Sequence, residues 1–405
     1  MIIVHKYGGT SVATTEKIMN IAKYLGSVKD ARNDVVVVVS AMGKTTDALI
    51  KLAHEITENP SSREMDRLMS TGEQQTISLL SIALQTLGYD AISLTGAQAG
   101  IKTSGHYMKN RIDDIDANSI KKHLNSGKIV VVAGFQGVNE AGDVTTLGRG
   151  GSDTSAVALA AALEGKCEIY TDVDGIYSID PRVYSDAKKL PFISYDEMME
   201  LAYLGAGVME PRAVELGGKY GVEIYVGKSL GEKNGTIITS IEKIKENKNM
   251  EQKVITGVSI NENTIMVNVE EIPTNAQNVS EIFEKAEKSG INIDMISQND
   301  VSSHHGSFAF TCPKTDMAAL EKIGEEIESK YEKTSFIVNP YVTKVSIVGI
   351  GLISNVGVAS KMFKILAQNN ISFHQISTSE ISISLIVDEV MGKKVAELFA
   401  KEFDL

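Results

Sequence analysis

The chain opens on three β-favouring apolar positions, Ile2-Ile3-Val4, and turns within a few residues to glycine and hydroxyl side chains. Apolar residues at helical spacing follow. This succession of short apolar run, small-residue turn and amphipathic helix continues to about residue 240. It predicts strands over residues 2–5, 34–40, 91–95, 129–134 and 168–172, and helices over 14–25, 45–58, 73–87 and 153–164. The runs at 35–39 and 129–133 are apolar at every position, as in strands buried on both faces. Alternating strands and helices imply an α/β fold with a mostly parallel central sheet sandwiched by helices. Ligands of such sheets sit beyond the carboxyl ends of the strands. The most distinctive clusters in this chain all lie just after predicted strands.

Gly235-Thr236-Ile237-Ile238 reads as the last strand of this region. Residues 242–253 are rich in Lys, Glu and Asn, and read as a boundary and linker. Beyond them the sequence repeats itself. Ile291-Asn292-Ile293-Asp294-Met295-Ile296-Ser297-Gln298-Asn299-Asp300 recurs 80 residues on as Ile371-Ser372-Phe373-His374-Gln375-Ile376-Ser377-Thr378-Ser379-Glu380, and Phe283 and Phe363 keep the same offset. Each copy reads strand, helix, strand, strand, helix. Only the first copy has a closing strand, at 335–338, while a spare strand at 254–260 precedes it. That strand is expected to complete the second unit, so that a first unit at 264–340 is nested in a second made of 254–263 and 341–405. The catalytic region is expected at 1–240.

Composition narrows the function. The 405 residues are 43% hydrophobic and 23% charged, as in a globular protein of two or three domains. A net charge of −12 argues against general binding to nucleic acid or to an anionic membrane. No run is long enough to span a bilayer, and Lys6 with two glycines interrupts any signal-like apolar stretch. Cys167 and Cys312 are far apart, as expected of two reduced thiols in a cytoplasmic protein.

Five clusters carry candidate chemistry. Lys6-Tyr7-Gly8-Gly9-Thr10-Ser11 joins a cation to a glycine pair at a strand-to-helix turn, a combination suited to phosphate, though it is not a P-loop. Ser40-Ala41-Met42-Gly43-Lys44-Thr45-Thr46-Asp47 is a small-residue turn leading a helix, its hydroxyls serving as plain caps or as substrate ligands. Leu68-Met69-Ser70-Thr71-Gly72-Glu73 offers a carboxylate that suits an ammonium. Phe135-Gln136-Gly137 and Thr145-Thr146-Leu147-Gly148-Arg149-Gly150-Gly151-Ser152-Asp153-Thr154 set an arginine among glycines, where its fork can grip a carboxylate. Tyr170-Thr171-Asp172-Val173-Asp174-Gly175-Ile176-Tyr177-Ser178-Ile179-Asp180-Pro181-Arg182 is either a plain loop or a site for a base and a phosphate tail.

In this order the clusters resemble those of the aspartokinases, in the amino-acid kinase superfamily. The tail resembles their tandem ACT units, which are α+β and ferredoxin-like. The resemblance covers essentially the whole chain. It implies a monofunctional enzyme making 4-phospho-L-aspartate and ADP from L-aspartate and ATP, the first step towards lysine, threonine and methionine, with Mg²⁺ accompanying the nucleotide and no dedicated protein metal site. It implies catalytic roles for Lys6 and Asp153, and phosphate contacts for Gly8, Gly9, Thr10 and Ser11. It places Ser40, Ala41, Thr46, Phe135 and Ser152 around aspartate, Glu73 on its ammonium and Arg149 on its α-carboxylate. Thr171, Asp172, Tyr177, Asp180 and Arg182 are expected at ATP. One departure stands out. The family commonly shows Gly-Ala-Lys-Val-Leu-His-Pro, where this chain has Gly205-Ala206-Gly207-Val208-Met209-Glu210-Pro211. Lys228 and Arg212 are the candidates to supply the missing charge.

For the repeat, the resemblance implies feedback by lysine, threonine or both, and a homodimer or dimer of dimers. Asn292, Asp294, Gln298 and Asn299 are the candidate effector residues, set against a plain solvated strand face. Two other functions stay open on the sequence: a non-catalytic amino-acid sensor, and a kinase for another amino acid.

Overall fold

The five valines at 35–39 are fully buried, and the sheet that buries them organises the first part of the chain. A computed structural model describes residues 1–231, 233–247, 254–273, 276–299 and 305–405. It divides into two compact units. One comprises residues 1–176, 189–202 and 207–250, and the other 177–188, 203–206 and 251–405.

The first unit is built on an eight-stranded sheet. In spatial order its strands are Phe192–Ser194, Thr236–Thr239, Ile224–Lys228, Lys166–Thr171, Ile2–Tyr7, Asp34–Val39, Ile129–Ala133 and Ala91–Leu94. All pairings are parallel except that of Ile224–Lys228 with Thr236–Thr239. Helices Thr15–Asp30 and Thr71–Thr86 cover one face, packing Ile21, Leu25, Leu80 and Leu84 against Val35, Val37 and Val39. Helix Gly151–Leu163 packs on the opening strand and is buried along nearly its whole length. Its alanine-rich sequence follows from that burial, because a helix enclosed all round needs small side chains for close approach. A small four-stranded sheet of Ile101–Ser104, Arg111–Ile115, Gln136–Val138 and Val144–Thr146 leads into the glycine-rich loop. The stretch read as linker begins with a helix, Ile241–Asn247. Its lysines and glutamates are good helix formers, which a reading by polarity alone overlooks.

The second unit holds a six-stranded antiparallel sheet in the order Ile296–Asn299, His305–Cys312, Gly257–Pro273, Ser335–Val348, Ser382–Asp388 and Gln375–Thr378. The strands expected at 254–260 and 335–338 are each part of something longer. Gly257–Pro273 pairs with Ser335–Val348 along both repeats, with register shifts between Asn261 and Met266. Helices Ala276–Lys288 and Met317–Lys330 bury one core around Phe308, Phe310 and Phe336. Helices Val358–Gln368 and Gly392–Glu402 bury another around Phe399, Val345 and Leu385. Strand structure starts only at Ile296 and Gln375, later than the repeated sequence motif begins. Among the described residues, no helix is long and apolar enough to cross a membrane.

Phe399 is fully buried in its core. Phe399→Ala should therefore lower the stability of the unit that contains it by about 3–5 kcal/mol, measured as an earlier urea midpoint for the full chain.

Candidate active site

Alternation along the opening strand sends Tyr7 into the core beneath helices Thr15–Asp30 and Thr71–Thr86, and Lys6 to the opposite face. There Lys6 Nζ meets Asp153 Oδ1 at 2.5 Å, with both side chains only about a tenth exposed. Asp153 stands in the first turn of helix Gly151–Leu163, where the helix dipole favours an acid. On the core side His5 is fully buried, with Nδ1 3.3 Å from Glu168 Oε2. Burial pushes its pKa down to about 4, so it is neutral near pH 7.

The glycine pair lets two turns close on each other. A Cβ on Gly9 would lie 2.8 Å from the Ala41 carbonyl oxygen, and one on Gly8 would lie 3.5 Å from Lys6 Nζ. The Gly43 N–H donates to the Gly9 carbonyl at 3.0 Å, and the Gly8 N–H donates to the Tyr170 carbonyl at 3.3 Å. Ser11 is buried, while Thr10 is exposed and its carbonyl accepts from Lys17.

Glu73 is 3% exposed. Its Oε1 accepts the Ala41 N–H at 3.0 Å, and its buried Oε2 has no partner among the described residues. Burial pushes its pKa up to about 7, against the downward pull of its own and Ala41's backbone N–H groups. A buried carboxylate oxygen without a partner is costly unless something cationic or protonated comes to it. Ser40 donates to Ser152 at 3.0 Å, and Ser152 crowds Gly134, where a Cβ would stand 2.8 Å from its Oγ. Phe135 adopts a left-handed conformation with φ 67°. Its N–H is held by Ser155 at 3.1 Å and its ring packs on Gly151. Thr46 is half-buried in the first turn of helix Thr45–Ile56. The structure thus brings together Lys6, Gly8, Gly9, Ala41, Glu73 and Asp153, with Ser40 on Ser152. Arg149 is exposed between Gly148 and Gly150, which have φ of 78° and 63°.

Thr171 and Asp172, at the end of strand Lys166–Thr171, bond to each other at 3.0 Å. Tyr177, Asp180 and Arg182 lie in the segment 177–188, which belongs to the second unit. Ile179 packs into that unit's core, and Asp180 is held by Arg182 at 2.6 Å. Gly207 is exposed, with open space around the position of a Cβ. Lys228 ends strand Ile224–Lys228 opposite Thr171 and is exposed. Arg212 is turned to backbone, donating to the carbonyls of Leu147 and Asn110.

Asp66 is a site residue that the sequence reading missed. Fully buried, it accepts from the Met108 N–H at 2.9 Å, the Thr146 N–H at 3.0 Å and the Thr146 hydroxyl at 2.6 Å. It thereby pins the start of the glycine-rich loop. Its only signal in the sequence was an acid on the apolar side of a short helix.

In the second unit, Asp294 is ion-paired with Lys344, a lysine whose side chain is 2% exposed. Asn292 and Gln298 are exposed. Asn299 pairs through its backbone with Ser307. His374 Nε2 lies 2.7 Å from Asp388 Oδ1, so it already has a partner within the fold.

Residues 1–228 match the amino acid kinase family, and residues 345–403 match an ACT domain. The chain is 48% identical over its whole length to an aspartokinase of Bacillus sp. strain MGA3, covering 97% of that protein. It is 47% identical to aspartokinase 2 of Bacillus subtilis strain 168, covering all of this chain and 98% of the relative. The chain belongs to the aspartokinases. Among solved structures, E. coli aspartokinase III in complex with aspartate and ADP (R-state) shares the fold with a TM-score of 0.83 at 23% identity, each chain covering all of the other. Synechocystis aspartate kinase, 39% identical with a TM-score of 0.54, matches all of this chain over 69% of its own. The aspartokinase fold is therefore an amino-acid kinase unit followed by ACT units, and the enzyme phosphorylates the side-chain carboxylate of L-aspartate at the expense of ATP.

Glu73 gives this aspartokinase a pH signature. Its folded pKa of about 7 lies above the ordinary 4.5. Between those values the folded state binds more protons than the unfolded state, so this group's contribution to stability falls as pH rises. Glu73→Gln removes the titration. Relative to the variant, wild type should lose about 2–3 kcal/mol between pH 4.5 and 7, read from urea unfolding at several pH values without substrate.

Proposed function

We propose that Lys6 and Asp153 form the catalytic pair and that the pocket around Glu73 receives L-aspartate. The observation that carries this reading is the unpartnered Oε2 of Glu73, buried beside a turn whose N–H it already holds. An α-ammonium satisfies that oxygen. Arg149 then takes the α-carboxylate with its fork, leaving the side-chain carboxylate directed towards ATP. Ser40, Ala41, Thr46, Phe135 and Ser152 line the pocket.

The acceptor carboxylate is ionised at neutral pH, so no base is needed to generate the nucleophile. The difficulty is to bring two anions into line. Lys6 supplies positive charge at the transferring phosphoryl group, and Asp153 orients the ammonium. Because the Gly8 N–H is held by Tyr170, the Gly9 N–H is the main-chain donor to the phosphoryl oxygens, with Thr10 and Ser11 at the same turn. Thr171 and Asp172 serve ATP. Among the described residues no three His, Cys, Asp or Glu side chains converge on a metal site. Mg²⁺ would be held chiefly by the nucleotide phosphates, with Asp153 available to assist. When bound, the ion neutralises phosphate charge.

The domain boundaries we propose are a catalytic unit at 1–240, from which segments 177–188 and 203–206 cluster with the second unit, and a regulatory unit at 264–340 nested in a second at 254–263 and 341–405. Supporting this, residues 257–261 pair with 344–348, while 264–270 pair with 335–342. We propose feedback by lysine, threonine or both through Asn292, Asp294, Gln298 and Asn299, in a cytoplasmic homodimer or dimer of dimers. E. coli aspartokinase III has a T-state structure in complex with lysine and aspartate.

The test is acyl-phosphate formation trapped with hydroxylamine, using aspartate, glutamate or no acceptor, with and without lysine and threonine. Aspartate-dependent hydroxamate lowered by an effector is the expected result. Arg149→Ala should raise the aspartate KM by about 30-fold, equivalent to about 2 kcal/mol. An unchanged KM removes Arg149 from the site. Asp294→Ala should abolish effector inhibition while leaving uninhibited turnover intact, and persistent inhibition places the effector elsewhere.

A further inference from the structure

The loop carrying Arg149 is conformationally weak. Gly148 and Gly150 both lie in the left-handed region, and residues so free lose much entropy when fixed. Something must hold the loop if Arg149 is to meet a carboxylate in one geometry. Asp66 fixes the near end at Thr146. The structure assigns the far side to Arg212, which nothing in the reaction scheme uses so far.

Arg212 sits in the first turn of helix Pro211–Tyr220, which packs against helix Gly151–Leu163. One guanidinium nitrogen, Nη2, donates to the Leu147 carbonyl, and Nη1 donates to the Asn110 carbonyl at 3.3 Å. The Asn110 N–H in turn donates to the Thr146 carbonyl at 3.0 Å. Arg212 therefore ties Leu147, just after strand Val144–Thr146, to Asn110, just before strand Arg111–Ile115. Glu210 lies beside it, with Oε1 3.8 Å from Arg212 Nε, and closes over Gly150, where a Cβ would stand 2.5 Å from Glu210 Oε2. A guanidinium suits this task because its planar fork reaches two carbonyls at once, whereas an ammonium is a single point charge.

We propose that Arg212, oriented by Glu210, is a positioning residue for the aspartate site, acting by locking the 147–150 loop so that Arg149 is presented in one conformation. The inference rests on the reading that Arg149 binds the α-carboxylate. It also gives Glu210 a role in the segment where the chain departs from its family's common pattern.

The experiment is steady-state kinetics of the full chain for R212A, R212K, R149A and the double variant R149A/R212A, with each substrate varied in turn and thermal midpoints recorded. R212A should raise the aspartate KM about tenfold, the scale of a lost charge-assisted hydrogen bond, while the ATP KM stays within about twofold and R212K falls between R212A and wild type. Adding R212A to R149A should raise the aspartate KM no further, because residues that act through one loop as a unit are not additive. An unchanged aspartate KM, an equal loss for both substrates that follows the thermal midpoint, or multiplicative effects in the double variant overturns the inference. Should R212A fail to fold, R212K must show the same split between substrates, and wild-type behaviour of R212K overturns it. A normal aspartate KM in R149A instead marks failure of the Arg149 assignment itself.

Discussion

The ion pair between Lys6 and Asp153 is the interaction around which the catalytic unit is arranged. It joins a strand in the middle of the sheet to the first turn of the helix that covers it. A pair so little exposed is costly to desolvate and stays charged only with close geometry and a favourable field. The parallel sheet fixes the position of the lysine, and the helix N-terminus stabilises the acid. Cys167, fully buried nearby, has its thiol pushed well above the ordinary range by burial and by Asp153, so it adds no competing nucleophile.

Around this pair the limiting factor is space. Gly9 against Ala41, Gly72 against Ala41, Gly134 against Ser152 and Gly151 against Phe135 would each bring an added Cβ within 3.0 Å of a neighbour. These contacts draw the turn after the opening strand, the turn at Ala41 and the loop at Gly134–Gly151 close together. On the aspartate site proposed above, the ammonium end would meet a buried carboxylate and the carboxylate end an exposed guanidinium, so discrimination would come from desolvation at the first and from a two-pronged grip at the second.

The regulatory unit carries a buried charge of its own. Lys344 lies in the buried stretch Val342–Val348 of its strand, and its ammonium pairs with Asp294. Removing that carboxylate would leave a buried charge uncompensated and destabilise the sheet. An effector ammonium at Asp294, as proposed above, would meet a carboxylate already engaged with Lys344.

The sequence by itself determined the alternation of strands and helices, the mostly parallel sheet, the repeat and the clusters at strand ends. Each of these is local in origin: periodicity, turn residues and the placement of glycine are written within windows of a few residues. Lys6, Glu73 and Asp153 were legible because a charge set among small residues at a strand or helix end has few other uses. Asp66, Lys344 and the backbone partners of Arg212 were not, because each contact reaches 50 or more residues along the chain. The same is true of the segment 177–188: its Asp180 and Arg182 follow the catalytic strand in sequence, yet its apolar side chains pack with the second unit. Which side chain meets which across such distances is decided by how the sheets and helices close, and only the tertiary structure holds that information.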